Sequence, residues 1–260
     1  FSAGVAFRGA DYQRAFPLPD GRILWVFQDV YVRGRGATNT FVHNAALRQR
    51  FEQEARVASR IESDHVVQVI AAGIDEPSGC PWLAMELLKG RTLESRVEKG
   101  GPLSPLEIGT TVTQLCHGLR AAHAVNVVHR DLKPENIFLA EVAREGGGSL
   151  VKILDFGIAR ISAEHKATKT AAMGTPLWMA PEQSKAGSDI GPRTDIWALG
   201  LIVFWMMTGK EYWLCASSPD VTPLMLMNEV LMQPLVIPSE RSRVVGGRPV
   251  PPAFDMWFTR

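Results

Sequence analysis

Three cysteines are all that this 260-residue chain contains, and Cys80, Cys116 and Cys215 are widely separated, without the close spacing of a metal cluster. That scarcity excludes a disulfide framework and a cysteine-rich zinc site. It leads us to expect a reducing, cytoplasmic compartment in which each thiol is buried rather than reactive. Charge of one sign is also lacking: 28 Lys and Arg stand against 27 Asp and Glu, a formal net charge of +1. Such a balance gives no basis for nucleic acid or an anionic membrane surface as a partner. The longest apolar run, Ile196 to Met207, falls short of the roughly 20 residues that a spanning helix requires. Signal peptide, internal repeats and low-complexity tracts are not evident. The chain opens on Phe1 rather than Met, which reads as a segment of something longer. What is there is a globular composition, 46% hydrophobic, with length for one large or two modest domains.

The chain is organised around His129-Arg130-Asp131-Leu132-Lys133-Pro134-Glu135-Asn136, set between the apolar runs Val127-Val128 and Ile137-Phe138-Leu139. An acidic residue, a lysine two places on and an amide three places after that converge on one phosphoryl group only if a turn folds them together. Pro134 favours that turn. Asp155-Phe156-Gly157 begins nineteen residues after Asn136, and Gly174-Thr175-Pro176-Leu177-Trp178-Met179-Ala180-Pro181-Glu182 follows. Three ordered motifs at these separations resemble the eukaryotic-like protein kinases, and among them the bacterial Hanks-type Ser/Thr branch. The resemblance implies an α+β, bilobal kinase-like fold with a small β-rich lobe and a mainly helical large lobe. It also implies ATP and Mg²⁺ as cofactors, and protein serine and threonine hydroxyls as acceptors.

The same resemblance assigns roles. Asp131 accepts or orients the proton of the acceptor hydroxyl, Lys133 neutralises charge on the transferring group, and Asn136 and Asp155 hold Mg²⁺ through hard oxygen donors. Phe138 forms the floor under adenine, Met85 takes the gatekeeper position, and Glu86 to Leu88 form the hinge, with the Leu88 backbone on the adenine edge. Lys133 and Thr175 are the choices of the Ser/Thr branch, the Thr175 hydroxyl bridging aspartate and lysine. Thr168 and Thr170 match autophosphorylated activation-loop threonines, and Arg130 is placed to receive such a phosphate. Asp195 binds the backbone of the catalytic loop. Glu182 pairs in the family with an arginine beyond the last large-lobe helix. Because the chain stops at Arg260, Glu182 is expected to be buried without that partner and the domain to be poorly stable, by ~3–5 kcal/mol for a broken buried pair.

Periodicity adds the elements. Leu47, Phe51, Ala55, Ala58 and Ile61 recur at helical spacing from Asn44 onward, with Glu54 at the margin of the apolar face. By resemblance this is helix C, whose glutamate pairs with a strand lysine that holds the ATP phosphates. Val66 to Ile70 and Trp82 to Leu87 read as a hairpin. Ser104-Pro105-Leu106-Glu107 is a capping box opening a helix to about Ala124, on which His117 and His123 read as surface or helix-end residues. Leu150 to Leu154 reads as the strand that delivers Asp155. A helix apolar nearly all round begins at Asp195, with further helices at Val221 to Met232 and near Phe254.

Upstream the pattern fails. No lysine precedes Lys89, so the partner of Glu54 falls to Arg33 or Arg35, whose planar fork is not equivalent to an ammonium. Gly34-Arg35-Gly36 and Gly4 to Gly9 are degenerate versions of a glycine-rich loop. Residues 1–49 are therefore set apart as an atypical segment, either divergent small-lobe strands or a foreign fusion. Pro17 to Asp29, followed by Phe41 to Asn44, looks somewhat like the opening strands of secreted β-propellers, with Asp20-Gly21 as a hairpin signal. Residues 50–260 read as the kinase domain. The alternative is a catalytically impaired kinase-fold module that binds partners, or an inactive fragment.

Overall fold

In the computed structural model, which describes residues 13–17, 23–27, 57, 59–74, 81–142, 149–156, 176–184 and 187–259, the strands form two antiparallel sheets. The first sheet holds β1 (Gln13–Pro17), β2 (Ile23–Phe27), β3 (Val69–Ile74) and β4 (Pro81–Met85) in the order β1-β2-β4-β3. β1 pairs with β2 from Gln13↔Phe27 to Pro17↔Ile23, so the Asp20-Gly21 signal falls between two paired strands. β2 pairs in turn with β4, from Ile23↔Met85 to Val26↔Trp82. Part of the atypical N-terminal segment is thus hydrogen-bonded to the strand that ends at Met85.

The hairpin strand expected over Val66 to Ile70 lies further on, at Val69–Ile74, with a register shift between Val69 and Ala71. Val66 and Val67 are each 5% exposed and turn to the second sheet instead. Val66 forms a parallel bridge with Ile153, Val67 N–H donates to the Ile153 carbonyl at 3.0 Å, and Ile153 N–H donates to the His65 carbonyl at 2.9 Å. The β-branched pair is core filling between the sheets, which a β-rich run does not distinguish from a strand. Of the helix expected from Asn44, Val57 is helical and the chain turns at Ser59-Arg60, before Ile61. Glu54 lies outside the described residues.

The second sheet is β5 (Gly90–Thr92), β6 (Ile137–Glu141) and β7 (Ser149–Ile153), in that order. Thr92 ends β5 and caps α1 (Leu93–Gly100), its hydroxyl accepting from Ser95 N–H at 3.1 Å. Only Leu93 and Val97 of α1 are buried, too little apolar pattern to announce a helix. α2 (Pro105–Ala124) carries the capping box as expected: Glu107 N–H donates to Ser104 Oγ at 3.3 Å and Ser104 N–H to Glu107 Oε2 at 2.8 Å. The Ser104 amide and hydroxyl, with Arg96 Nη2 at 2.7 Å, hold the Glu107 carboxyl down to about 2. Ser104→Ala should destabilise the domain by ~1 kcal/mol, read as a lower urea midpoint at unchanged slope.

α3 (Pro192–Thr208) starts three residues before Asp195 and is buried along most of its length, closed by Gly209 in the left-handed conformation at φ 70°. α4 (Pro223–Met232), α5 (Pro238–Val244) and α6 (Pro252–Phe258) follow, each with proline in its first turn. α5 escaped the sequence reading because its buried face is polar. Arg241 is 4% exposed, lies 3.4 Å from Glu229 Oε1 and stacks 4.9 Å over the Tyr212 ring. Beside it, burial and then Glu229 push the Cys215 thiol up to about 12. Cys116 is exposed, against the expectation of a buried thiol, because it sits on the outer face of α2. One core joins α1, α2, α3 and α4, and Val67, Leu83 and Met85 form a second cluster at the four-stranded sheet. Among the described residues no helix is long and apolar enough to cross a membrane.

Candidate active site

The loop from His129 to Asn136 leaves the end of α2 and must expose its polar groups while its backbone stays buried. Asp195, in the first turn of α3 and 0% exposed, resolves this. Its Oδ2 accepts from His129 N–H at 2.9 Å and its Oδ1 from Arg130 N–H at 2.9 Å. A third donor, His123 Nε2, reaches Oδ2 at 2.7 Å from the last turn of α2. Burial works against the charge of Asp195, but these hydrogen bonds, with His123 foremost, hold its carboxyl below the usual carboxylate range. His123 is thus an anchor for a buried carboxylate, where the sequence offered only a helix-end histidine.

His129 is itself fully buried. Asp131 N–H donates to its Nδ1 at 3.3 Å and Nε2 lies 2.7 Å from the Leu154 carbonyl, which can only accept. The ring therefore carries its hydrogen on Nε2 and links the loop to the residue before Asp155. Phe156 packs edge-on against the same ring at 4.7 Å and is 3% exposed. Arg130 and Asp155 both hold left-handed backbone, at φ 68° and 58°. Two non-glycine residues kept in that region mark a site whose surroundings over-determine its geometry.

The side chains converge. Lys133 Nζ lies 3.2 Å from Asp131 Oδ2. The Pro134–Asn136 helical turn brings Asn136 back, its Nδ2 donating to the Asp131 carbonyl at 2.9 Å, with Asp131 Oδ2 at 3.4 Å. With its nitrogen so directed, the Asn136 oxygen is left as an acceptor. Its own carbonyl accepts Leu154 N–H at 2.8 Å, which ties it to the strand that delivers Asp155. Asp131 remains exposed and Asn136 is buried. Glu94 of α1 is raised by burial and then by the charges of Glu135 and Glu98, while Lys133 draws it down.

Other expected residues fall around this group. Phe138 is half-buried in β6, opposite Thr92 on one side and Lys152 on the other. Met85 is 6% exposed in the cluster with Val67 and Leu83, and Leu88 and Leu154 pack against that cluster. Glu86 N–H donates to the Gln68 carbonyl, and among the described residues the Leu88 amide has no hydrogen-bond partner. Glu182 is half-buried rather than buried, and Thr194 Oγ1 donates to its Oε1 at 2.7 Å. A half-buried carboxylate with a hydroxyl donor is not the buried group without a partner that was expected. Arg33, Arg35, Thr168, Thr170 and Thr175 lie outside the described residues. β2, the neighbour of β4, contains neither lysine nor arginine in its sequence.

Two further contacts escaped the sequence. Gln183 Nε2 donates to the Arg130 carbonyl at 2.6 Å while its oxygen accepts Ala180 N–H at 2.9 Å, which ties the His129–Asn136 loop to the segment 176–184. Trp213 Nε1 holds the Leu177 carbonyl at 2.8 Å. No periodic signal could reveal either, since each is a single polar contact between loops.

The sequence matches the family described as protein kinase domain over residues 38–242. It is 42% identical over 166 residues to serine/threonine-protein kinase Pkn1 of Myxococcus xanthus, covering 63% of this chain and 23% of that protein. With serine/threonine-protein kinase PknH of Mycobacterium bovis it shares 34% identity over 225 residues, 86% of this chain and 34% of the relative. The chain thus spans about a quarter to a third of the length of these curated relatives. In fold it is similar to the kinase domain of Mycobacterium tuberculosis PknI, with a TM-score of 0.56 at 23% identity, covering 91% of this chain and 88% of that one. The chain belongs to the protein kinase domain family, and the relatives it resembles are bacterial serine/threonine-protein kinases.

Proposed function

We propose that this domain transfers the γ-phosphate of ATP to serine and threonine hydroxyls of proteins, with Thr168 and Thr170 as its own first acceptors. The observation that carries the reading is the convergence of Asp131, Lys133 and Asn136 on a loop suspended from Asp195 and tied through Leu154 to Asp155. Phosphoryl transfer needs positioning and charge stabilisation more than covalent help. Asp131, exposed at the loop, takes the acceptor proton, and Lys133 offsets charge on the moving phosphoryl group. Asn136 and Asp155 supply the protein oxygens for Mg²⁺, which when bound neutralises phosphate charge. Among the described residues no three His, Cys, Asp or Glu side chains assemble a metal cage. Arg130 awaits a phosphothreonine, Thr175 completes the Asp131–Lys133 pair, and Met85, Glu86, Leu88 and Phe138 surround adenine. Glu54 serves the phosphates with Arg33 or Arg35. The reducing, cytoplasmic setting is supported by the free thiols of Cys116 and Cys215.

A second reading, a kinase-fold module that binds partners without transfer, is favoured by the lack of lysine before Lys89 and in β2. Radiolabelled ATP with Mg²⁺ separates the two. Label should enter the protein itself and a generic basic protein, and a peptide map should place the self-label on Thr168, Thr170 or both. A folded sample that takes up no label overturns the transfer reading in favour of a partner-binding module or an inactive fragment, and label confined to other peptides removes the threonine assignment.

A further inference from the structure

Lys152 takes part in no step above, yet it is only 9% exposed. Its Nζ lies 2.6 Å from Glu86 Oε1, with the two side chains 11% and 27% exposed. The same oxygen accepts Gln68 N–H at 2.8 Å, and the Gln68 carbonyl accepts Glu86 N–H at 3.0 Å. Glu86 is therefore clamped from two sides, by the Gln68 backbone just before β3 and by a lysine of β7 in the second sheet. The register places Thr92, Phe138 and Lys152 directly opposite one another on three adjacent strands, so all three rise from one face. Lys152 sets its aliphatic stem beside Phe138 and its charge at the connection between the sheets. In a chain without lysine before position 89, Lys152 is an obvious candidate for a phosphate ligand. Its short pairing with Glu86 assigns it elsewhere.

We propose that Glu86 and Lys152 form a latch that fixes residues 86–88 at a set height over Phe138 and thereby sets nucleotide affinity, Lys152 acting as a positioning residue. The inference rests on the nucleotide-binding reading above. Backbone groups bind a ligand edge only when held at the right separation from the surface on which its rings lie, and holding them there beforehand spares the cost of ordering them on binding. A charge-assisted bond at this burial is strong enough to do so and is little screened by salt.

The test uses the unmodified chain, Lys152→Met, Glu86→Gln, their double variant and Lys152→Arg. Each is titrated with a fluorescent ATP analogue and Mg²⁺, and KM and kcat for ATP are measured alongside. Lys152→Met and Glu86→Gln should each weaken binding about tenfold. The double variant should be no weaker than either single change, because partners in one bond are not additive. Lys152→Arg should recover most of the affinity, and the loss should fall on KM rather than kcat. Unchanged affinity in Lys152→Met, additive losses, or a defect confined to kcat overturns the latch while leaving the kinase reading intact. An unmodified chain that binds no nucleotide overturns both.

Discussion

Asp155→Asn is expected to lower γ-phosphate transfer by roughly 10²–10³-fold or more, the scale for removing a principal electrostatic stabiliser. Asparagine is the informative choice because Asp155 holds left-handed backbone at φ 58°. Asparagine visits that region with little penalty, whereas alanine there adds ~1–2 kcal/mol of strain. The Asn variant therefore isolates the lost charge. The neighbouring anchors are independent of that charge: Leu154 N–H and carbonyl are held by Asn136 and His129, and Phe156 is buried against the His129 ring. Asp155→Asn should lose transfer, and Asp155→Ala should lose transfer and more stability than the Asn variant. Initial rates of label incorporation at saturating Mg²⁺-ATP, beside urea unfolding of the same samples, check both statements. An Asn variant retaining more than about a tenth of the parent rate means that the metal is held by other groups.

The order of motifs was legible because each is contiguous and chemically specific. His129 to Asn136 names its own turn through Pro134, and Ser104-Pro105-Leu106-Glu107 names its own helix start. The buried length of α3 was legible from an apolar run without periodicity. What the sequence hid is long-range polar pairing. Nothing local distinguishes His123, anchoring Asp195, from any histidine near a helix end, or Lys152, paired with Glu86 across 66 positions, from any lysine in an amphipathic strand. α5 stayed hidden because a buried arginine takes the place of the apolar stripe that periodicity detects. Val66 and Val67 misled in the opposite sense, since β-branched residues fill a seam between sheets as readily as they extend a strand. The N-terminal segment is the extreme case. β1 and β2 are defined by pairing with one another and with β4, and no motif within 13–27 specifies that partner.

Asp195→Ala should be the most damaging single change to the fold, costing ~3–5 kcal/mol, the range for removing one partner of a buried ionic group. Three donors depend on this carboxylate: His129 N–H, Arg130 N–H and His123 Nε2. Alanine leaves all three without that acceptor in a largely buried region, and unmet buried donors cost more than the bonds themselves contribute. In a domain of this size each ~1 kcal/mol lowers Tm by ~2–4 °C, so a fall of about 6–20 °C is expected. His123→Ala removes one donor and leaves the two backbone bonds, so its cost should be well under half as large. The pH dependence has a definite sign. The folded-state carboxyl of Asp195 lies below its usual value of 3.8, so its stabilisation is fully present above that value and is lost as pH falls through the folded one. The parent should therefore lose stability relative to Asp195→Ala on acidification, and the two melting temperatures should converge in strong acid. Curves that stay parallel from neutral pH into that range would mean that Asp195 is held by shape rather than by its charge.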